Sequence, residues 1–296
     1  MLRARNRHEA RGVSRPVARQ GDLLLKVPWN VLIILDACRA DHFNQLVPRA
    51  RTVESLHSIT WAWFAGFVAV VRELSEPILY VTANPVVDRE MSKHPAAPVH
   101  LVSVWQDRWG RHGPLNLPTV HPGDVVAAVT EYVERFGQPR RMVVHFVQPH
   151  VPFIGRHSVP YSGWGRDLTD PLSREVRKMP HVKKALAEGL VTFEEIRLCY
   201  RDNLELVVEH RERLVEKLGG RIVTTADHGE LLGERGLYGH TAGPVHPELR
   251  DVPWLEERRG AFSPAELPAE VRDGRLSAGT AEGEQMRAKL EALGYA

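Results

Sequence analysis

Five short apolar runs, rich in Val and Ile, punctuate the chain: Val31 to Leu35, Ile78 to Thr82, Val99 to Val104, Met142 to Val147 and Arg221 to Thr225. Their apolar residues are continuous rather than alternating, the pattern of strands covered on both faces in a parallel sheet. Between the third and fourth runs, Pro122 to Gly137 sets Val125, Val129, Tyr132, Val133 and Phe136 at helical spacing and stops at glycine. A longer stripe, from Ile196 and Cys199 through Leu204 and Val207 to Val215 and Leu218, predicts a helix over Thr192 to Leu218 that feeds the last strand. Asn203 lies inside that helix, either as a buried polar contact or at an exposed or capping position. The expected class is α/β, a mostly parallel sheet sandwiched by helices.

Three of the runs end on groups that can do chemistry. The last delivers Asp227 and His228 into a glycine, VLIIL runs into Asp36, and MVVHFVQ runs into Pro149 and His150. Open α/β sheets collect ligands at the carboxyl ends of their strands. One Asp-His-Gly reads equally well as a turn, with Asp capping the next helix and Gly supplying a positive φ. Three such ends point to an enzyme. A divalent metal needs ligands converging from different strands, and Asp36, Asp227 and His228 are the candidates. The segment Ser55 to Phe67, SLHSITWAWFAGF, offers hydroxyls. A Ser or Thr oxygen on a cation loses its proton more readily and can attack phosphorus or sulfur.

Composition narrows the picture. The 296 residues carry a net charge of +2, and an excess of Arg sits in the first twenty. Residues 1–26 are therefore expected to form a disordered basic leader, residues 27–254 the catalytic domain, and residues 255–296 a surface segment with a short helix near Glu284 to Leu293. The stretch His157 to Pro180, rich in Pro, Gly, Ser, Trp and Arg, reads as an excursion that covers a site. No apolar run reaches the roughly 18 residues of a membrane span, and none follows the leader as a secretory signal would, so a cytoplasmic location is expected; the leader reads as a solvated basic tail, with contact to acidic membrane surface or nucleic acid as the lesser alternative, and no nucleic-acid partner is expected. Cys38 and Cys199 have neither metal-type nor disulfide-framework spacing and are expected to be reduced and structural.

The polar strand ends also carry a resemblance. ILDACRADHF resembles the opening motif of the alkaline phosphatase and sulfatase superfamily, in which strand one ends in Asp followed by xxRxDH. HFVQPHVPF is similar to the HFxxPHxPY element, TADHGELLGERGLYGHTAGPVHPELRDVPW to the late DHGE, GH and VPW blocks, and AKLEALGYA to the closing LxxLGY of sulfatase-like chains. The resemblance implies that Asp36, Asp227 and His228 bind a metal. It implies further that His150 and His240 contact the anionic oxygens or the leaving group, or a second metal where one is present. Without it, His150 is a turn residue between prolines and His240 a surface-loop residue. Arg39 either contacts the anion or pairs with Asp41.

The nucleophile departs from the formylglycine pattern. No CxPSR follows Asp36, which argues against formylglycine chemistry, whereas Thr60, followed by Trp63 and Phe64, is similar to the Thr-containing segment of archaeal and bacterial sulfatase-like chains. Ser58 is the reserve, and Thr60 also reads as a helix cap. Asp170, His181, Asp202 and His210 contain no Asp-x-x-x-His pair, so one divalent ion is expected. The hard donor set favours Mn, Mg or Ca, with Zn as the alternative. The expected function is a metal-dependent hydrolase or transferase acting on phosphate esters through Thr60. Its rivals are sulfate ester hydrolysis without formylglycine and noncatalytic binding. The expected partner is a small-molecule, glycan or lipid-linked phosphate or sulfate ester, with no transmembrane segment.

Overall fold

In the computed structural model, which describes residues 18–163, 178–242 and 246–272, a seven-stranded sheet forms the centre. Its strands are β1 (Val31–Asp36), β2 (Arg51–Glu54), β3 (Ile78–Thr82), β4 (Val99–Ser103), β7 (Met142–Pro149), β8 (Gly220–Thr225) and β11 (Asp251–Arg259). Strands β5 (Gly110–His112) and β6 (Leu117–Thr119) pair apart from it, as do β9 (Leu231–Leu232) and β10 (Tyr238–Gly239). The order in the main sheet is β2-β11-β8-β1-β7-β3-β4. The five expected strands are its parallel part, with β1 between β7 and β8 and β3 between β7 and β4. β1, β3 and β7 are buried along their whole length, which is what their unbroken apolar runs require.

The helices are α1 (Gln20–Lys26), α2 (Ala40–Leu46), α3 (Thr60–Leu74), α4 (Pro85–Met91), α5 (Val104–Arg108), α6 (Pro122–Phe136), α7 (Val182–Ala187), α8 (Phe193–Lys217), α9 (Pro247–Arg250) and α10 (Ala269–Arg272). The two long helices expected from periodicity are α6 and α8. Thr192 caps α8 in a capping box with Glu195, satisfying backbone donors that the first turn would leave open. α3 buries Trp63, Phe64, Phe67, Val68 and Val71, and Trp63 stacks on Phe67 at 5.1 Å between ring centres. Thr60 thereby starts a helix anchored in the core.

Two expected boundaries shift. The leader assigned to residues 1–26 gives way to α1 at Gln20, whose side chain is fully buried. Its amide donates to Thr225 Oγ1 and Ala226 O, each at 2.8 Å, and its carbonyl accepts from Trp63 Nε1 at 2.8 Å. Residues 1–17 lie outside the described residues. The break placed after Trp254 falls inside β11, which runs antiparallel to β8 and pairs Arg258 with Arg221. Charge hid this strand. Alternation puts Glu257 on the inner face, where it pairs with Arg211, a fully buried guanidinium that also donates to Thr224 Oγ1 at 2.9 Å. Leu267 and Val271 join the same core. The predicted helix near Glu284 to Leu293, the closing AKLEALGYA and most of the excursion at His157 to Pro180 lie outside the described residues.

Gln20→Ala should therefore destabilise the fold by about 2 kcal/mol, because it leaves Trp63 Nε1 and the β8 terminus without partners. Urea unfolding checks this; an unchanged midpoint would show that α1 is not integral to the domain.

Candidate active site

The carboxyl ends of adjacent parallel strands meet in one place. Asp36 ends β1, and Asp227 and His228 follow β8, its immediate neighbour. His150 follows β7 on the other side of β1, and Asn84 follows β3 beyond it. Ala37, at φ 58°, turns the chain away after Asp36 and donates its N–H to Asp227 Oδ1 at 3.1 Å. Tyr200 of α8 locks this turn, donating to Ala37 O at 2.8 Å and accepting from Arg39 N–H at 3.0 Å.

Among the described residues, two groups of side chains converge closely enough to hold a cation, with potential ligand atoms all within 4.8 Å of one another. The first is Asp36, Asp227 and His228, all buried. His228 Nε2 lies 3.7 Å from Asp36 Oδ1 and 3.4 Å from Asp227 Oδ2. Neither of these carboxylate oxygens has a hydrogen-bond partner. Two partnerless oxygens at full burial are costly, and a divalent cation would satisfy both, so the donor set fits one. His228 Nδ1 donates to Gly229 O at 2.7 Å, which leaves the lone pair on Nε2 for a metal or for the Thr60 hydroxyl, 3.1 Å away.

The second group is His150, Glu230 and His240. His240 Nδ1 lies 3.1 Å from Glu230 Oε1, and the His240 ring centre is 5.3 Å from that of His150 and 4.2 Å from that of His228. This group partly satisfies itself. His150 Nδ1 donates to Val151 O at 2.6 Å, so its lone pair is also on Nε2.

Burial governs the electrostatics. It pushes the Asp36 carboxyl well above its ordinary value, and the charges of Asp227 and Glu230 add to this. Burial alone would also raise Asp227, but the His228 and His145 imidazoles outweigh it and hold that carboxyl below its ordinary value. Burial pushes His145, His150 and His240 each down to about 4. It lifts Glu230 to about 7, against the pull of His150 and His228.

All six residues singled out by the sequence, Asp36, Thr60, His150, Asp227, His228 and His240, lie in this one locale. Thr60 is the first residue of α3, after the extended Ile59, and its hydroxyl turns to His228 instead of capping the helix. The Ser58 hydroxyl donates to Thr241 O at 2.8 Å. Arg39 pairs with Asp41 at 2.7 Å and Glu234 at 2.6 Å, the structural alternative of the two. Both cysteines are buried and unpaired with each other.

Three contributors, Asn84, Glu230 and His145, were missed, and Asn203 takes the buried position, one of the two left open for it. Asn84 Nδ2 donates to Asp36 Oδ2 at 2.6 Å, while its Oδ1 caps α4. A polar residue after the apolar run ILYVT, just before Pro85, was a readable signal. Glu230 stands in the quoted DHGE motif without an assigned role. His145 lies inside β7 with Nε2 4.0 Å from Asp227 Oδ2 and Nδ1 2.9 Å from Tyr80 OH, and a histidine within a strand gives no such signal. Asn203 is fully buried: its amide donates to Pro149 O, His150 O and Pro152 O, and its carbonyl accepts from Ile154 N–H at 2.8 Å, fixing the loop that carries His150.

No protein-family model matches the chain, and no curated protein matches it by sequence. Solved structures do match in fold. The integral membrane lipooligosaccharide phosphoethanolamine transferase A from Neisseria meningitidis superposes with a TM-score of 0.51 at 13% identity, over 83% of this chain and 48% of that one. This chain thus spans about half the length of that transferase. The transferase's soluble domain gives 0.50 at 15% identity, over 83% of this chain and 78% of that one. A candidate sulfatase from Bacteroides thetaiotaomicron gives 0.52 at 11% identity, over 88% and 75%. The chain has an alkaline phosphatase/sulfatase-like superfamily fold. The partner expectation needs correction: it joined small-molecule, glycan or lipid-linked esters to the lack of a transmembrane segment, yet one structure sharing the fold is an integral membrane protein named for lipooligosaccharide. Among the described residues, no helix is long and apolar enough to cross a membrane.

Glu230 makes a measurable pH signature. Its ordinary value of 4.5 is raised to about 7 in the fold. The neutral acid is therefore the form the fold prefers: its contribution is complete below pH 4.5 and lost as pH rises through 7. Between pH 4 and 8, metal-free wild type should lose about 3 kcal/mol of stability relative to Glu230→Gln. Unfolding of the two proteins measured side by side at each pH checks this, and a stability difference that stays constant across that range would refute it.

Proposed function

We propose that this chain is a metal-dependent hydrolase or transferase acting on phosphate esters, with Thr60 as the nucleophile. One observation carries the reading: two buried carboxylate oxygens without partners and the His228 imidazole converge, and the Thr60 hydroxyl lies 3.1 Å from that imidazole. A divalent cation held by Asp36, Asp227 and His228 would make a neighbouring hydroxyl more acidic and offset charge on phosphoryl oxygens. The oxygen-rich donor set suits Mn, Mg or Ca, and Zn is compatible with it. The fold shared with a phosphoethanolamine transferase and a candidate sulfatase supports chemistry on tetrahedral ester anions.

The chain's own groups divide the work. Thr60 Oγ1, at the start of a fifteen-residue helix, sits where peptide N–H groups favour negative charge. Its proton passes to water, the resulting alkoxide attacks phosphorus in line, the bond from phosphorus to the ester oxygen breaks on the far side with that oxygen taking a proton from water, and the phosphoryl group is carried on Thr60. Water then completes hydrolysis, or an acceptor hydroxyl completes transfer. His240, held neutral at pH 7 by burial, steadies a phosphoryl or leaving oxygen by a hydrogen bond, whereas His150, also neutral and with its N–H given to Val151 O, offers the Nε2 lone pair to the O–H of the incoming water or acceptor. When Glu230 is protonated its O–H donates to His240 Nδ1, and the opposite ring nitrogen then bears the N–H that an anionic oxygen needs.

Metal content and turnover of an aryl phosphate monoester, a phosphate diester and a sulfate ester test this on wild type, Thr60→Ala and Asp227→Asn. Asp227→Asn should lose both cation and turnover. Thr60→Ala should keep the cation while its rate falls by about a thousandfold. A Thr60→Ala protein with near wild-type turnover would remove Thr60 from the chemistry, and a sulfate preference would transfer the mechanism to sulfuryl esters. Wild type that binds no Mn and cleaves nothing would leave a binding role.

A further inference from the structure

We propose that His145, oriented by Tyr80, is a positioning residue for the cation site: its Nε2–H holds the Asp227 carboxylate in the orientation that a cation requires. The inference rests on the metal-dependent reading above and adds the support beneath one of its ligands.

The sheet register puts this histidine under the site. His145 of β7 lies beside Ile34 of β1, and Ile34 lies beside Thr225 of β8. Asp36 and Asp227 come two residues after Ile34 and Thr225, so His145 stands one pleat below the two carboxylates. Its neighbour on β3 is Thr82, and Tyr80, two residues earlier, reaches it with a hydroxyl 2.9 Å from Nδ1. Rings of α3 hold both side chains in place. Phe64 and Phe67 meet Tyr80 edge-on at 5.7 and 5.8 Å between ring centres, and Trp63 meets His145 at 6.3 Å. Tyr80, His145 and Asp227 are all fully buried.

Hydrogen-bond accounting fixes where the histidine carries its hydrogen. Among the described residues, the Tyr80 O–H meets one acceptor, His145 Nδ1. The hydroxyl therefore donates there, and the neutral imidazole bears its hydrogen on Nε2. Burial keeps both groups in these forms, raising the Tyr80 phenol well above its ordinary value and lowering His145 to about 4. Nε2 has no hydrogen-bond partner, and neither has Asp227 Oδ2, 4.0 Å away. A donor and an acceptor, each costly to leave alone in a dry core, thus stand within about 1 Å of a hydrogen bond. A carboxylate oxygen has two lone pairs, so Oδ2 can accept from His145 and still ligate a cation. An Nε2 that carries hydrogen has no lone pair to give, and His145 lies outside the group of donors that converge within 4.8 Å. It supports a ligand without being one. Asn84 gives Asp36 the same kind of support, donating to Oδ2 at 2.6 Å. Two apolar residues would fill the places of Tyr80 and His145 at less cost, so the polarity of the pair calls for a use.

Titration calorimetry with Mn, urea unfolding and nitrogen NMR of the imidazoles test this on the full-length protein, the His145 signal being the one lost in His145→Gln. That signal should show the hydrogen on Nε2. The double variant Tyr80→Phe with His145→Phe removes the whole polar pair, and should bind Mn about tenfold or more weakly than wild type without a lower unfolding midpoint. His145→Gln, whose amide nitrogen takes the place of Nε2, should bind Mn within about threefold of wild type. Tyr80→Phe alone, the mildest change, should weaken Mn binding in the same direction even if the double variant fails to fold. A hydrogen on Nδ1 overturns the inference, as does a lower midpoint with Mn affinity unchanged, the signature of a purely structural pair; either leaves the metal-dependent reading standing. If wild type binds no Mn, that reading falls and the support assigned to His145 falls with it.

Discussion

Two carboxylates at the ends of adjacent parallel strands, buried and facing the same imidazole, are the constraint around which this molecule is organised. Asp36 and Asp227 cannot both be ionised in a dry interior without positive charge nearby. Protonation relieves the conflict in one way and a divalent cation in another, and the arrangement favours the second. Oδ1 of Asp36 and Oδ2 of Asp227 are left without partners, while the remaining oxygen of each is held by Asn84 or by the Ala37 and His228 amides. Half of each carboxylate is fixed by the protein and half is turned toward the other residue. A pair that served stability alone would have satisfied all four oxygens.

Much of the surrounding structure keeps that pair in register. β1 is bonded on both sides, so Asp36 has little freedom along the strand. The turn after it is closed by Tyr200 from α8, and the same helix supplies Asn203 to hold the loop bearing His150. Gln20 in α1 ties the end of β8 to Trp63 in α3, so the backbone preceding Asp227 and the helix beginning with Thr60 are joined through one buried amide. The proposed metal ligands, nucleophile and anion contacts thus share supports from three helices. Sites whose side chains must agree within fractions of an ångström need supports of this kind.

The layout also separates two environments. On the β1–β8 side two buried carboxylates face one imidazole; on the β7 and hairpin side burial keeps imidazoles neutral and lifts Glu230 to about 7. The first favours charge neutralisation, and the second favours hydrogen bonds that change hands as a bond to oxygen breaks.

The sequence by itself determined the sheet and its loaded ends. Unbroken Val and Ile runs could be stable only as strands covered on both faces, and a polar residue at the carboxyl end of such a run has to emerge where the strands end together. Asp36, His150, Asp227 and His228 were legible for that reason, and α6 and α8 for their periodicity. Thr60 and His240 were legible only through motif resemblance, since neither ends a strand of the main sheet. Tertiary structure decided the rest. Gln20, His145 and Asn203 act through partners about 50 to about 200 positions away, and no local pattern encodes a contact between residues so distant in the chain. The charged strand β11 was hidden for the same reason: Glu257 can turn inward because Arg211 of α8, together with Arg49 and Arg259, is there to meet it.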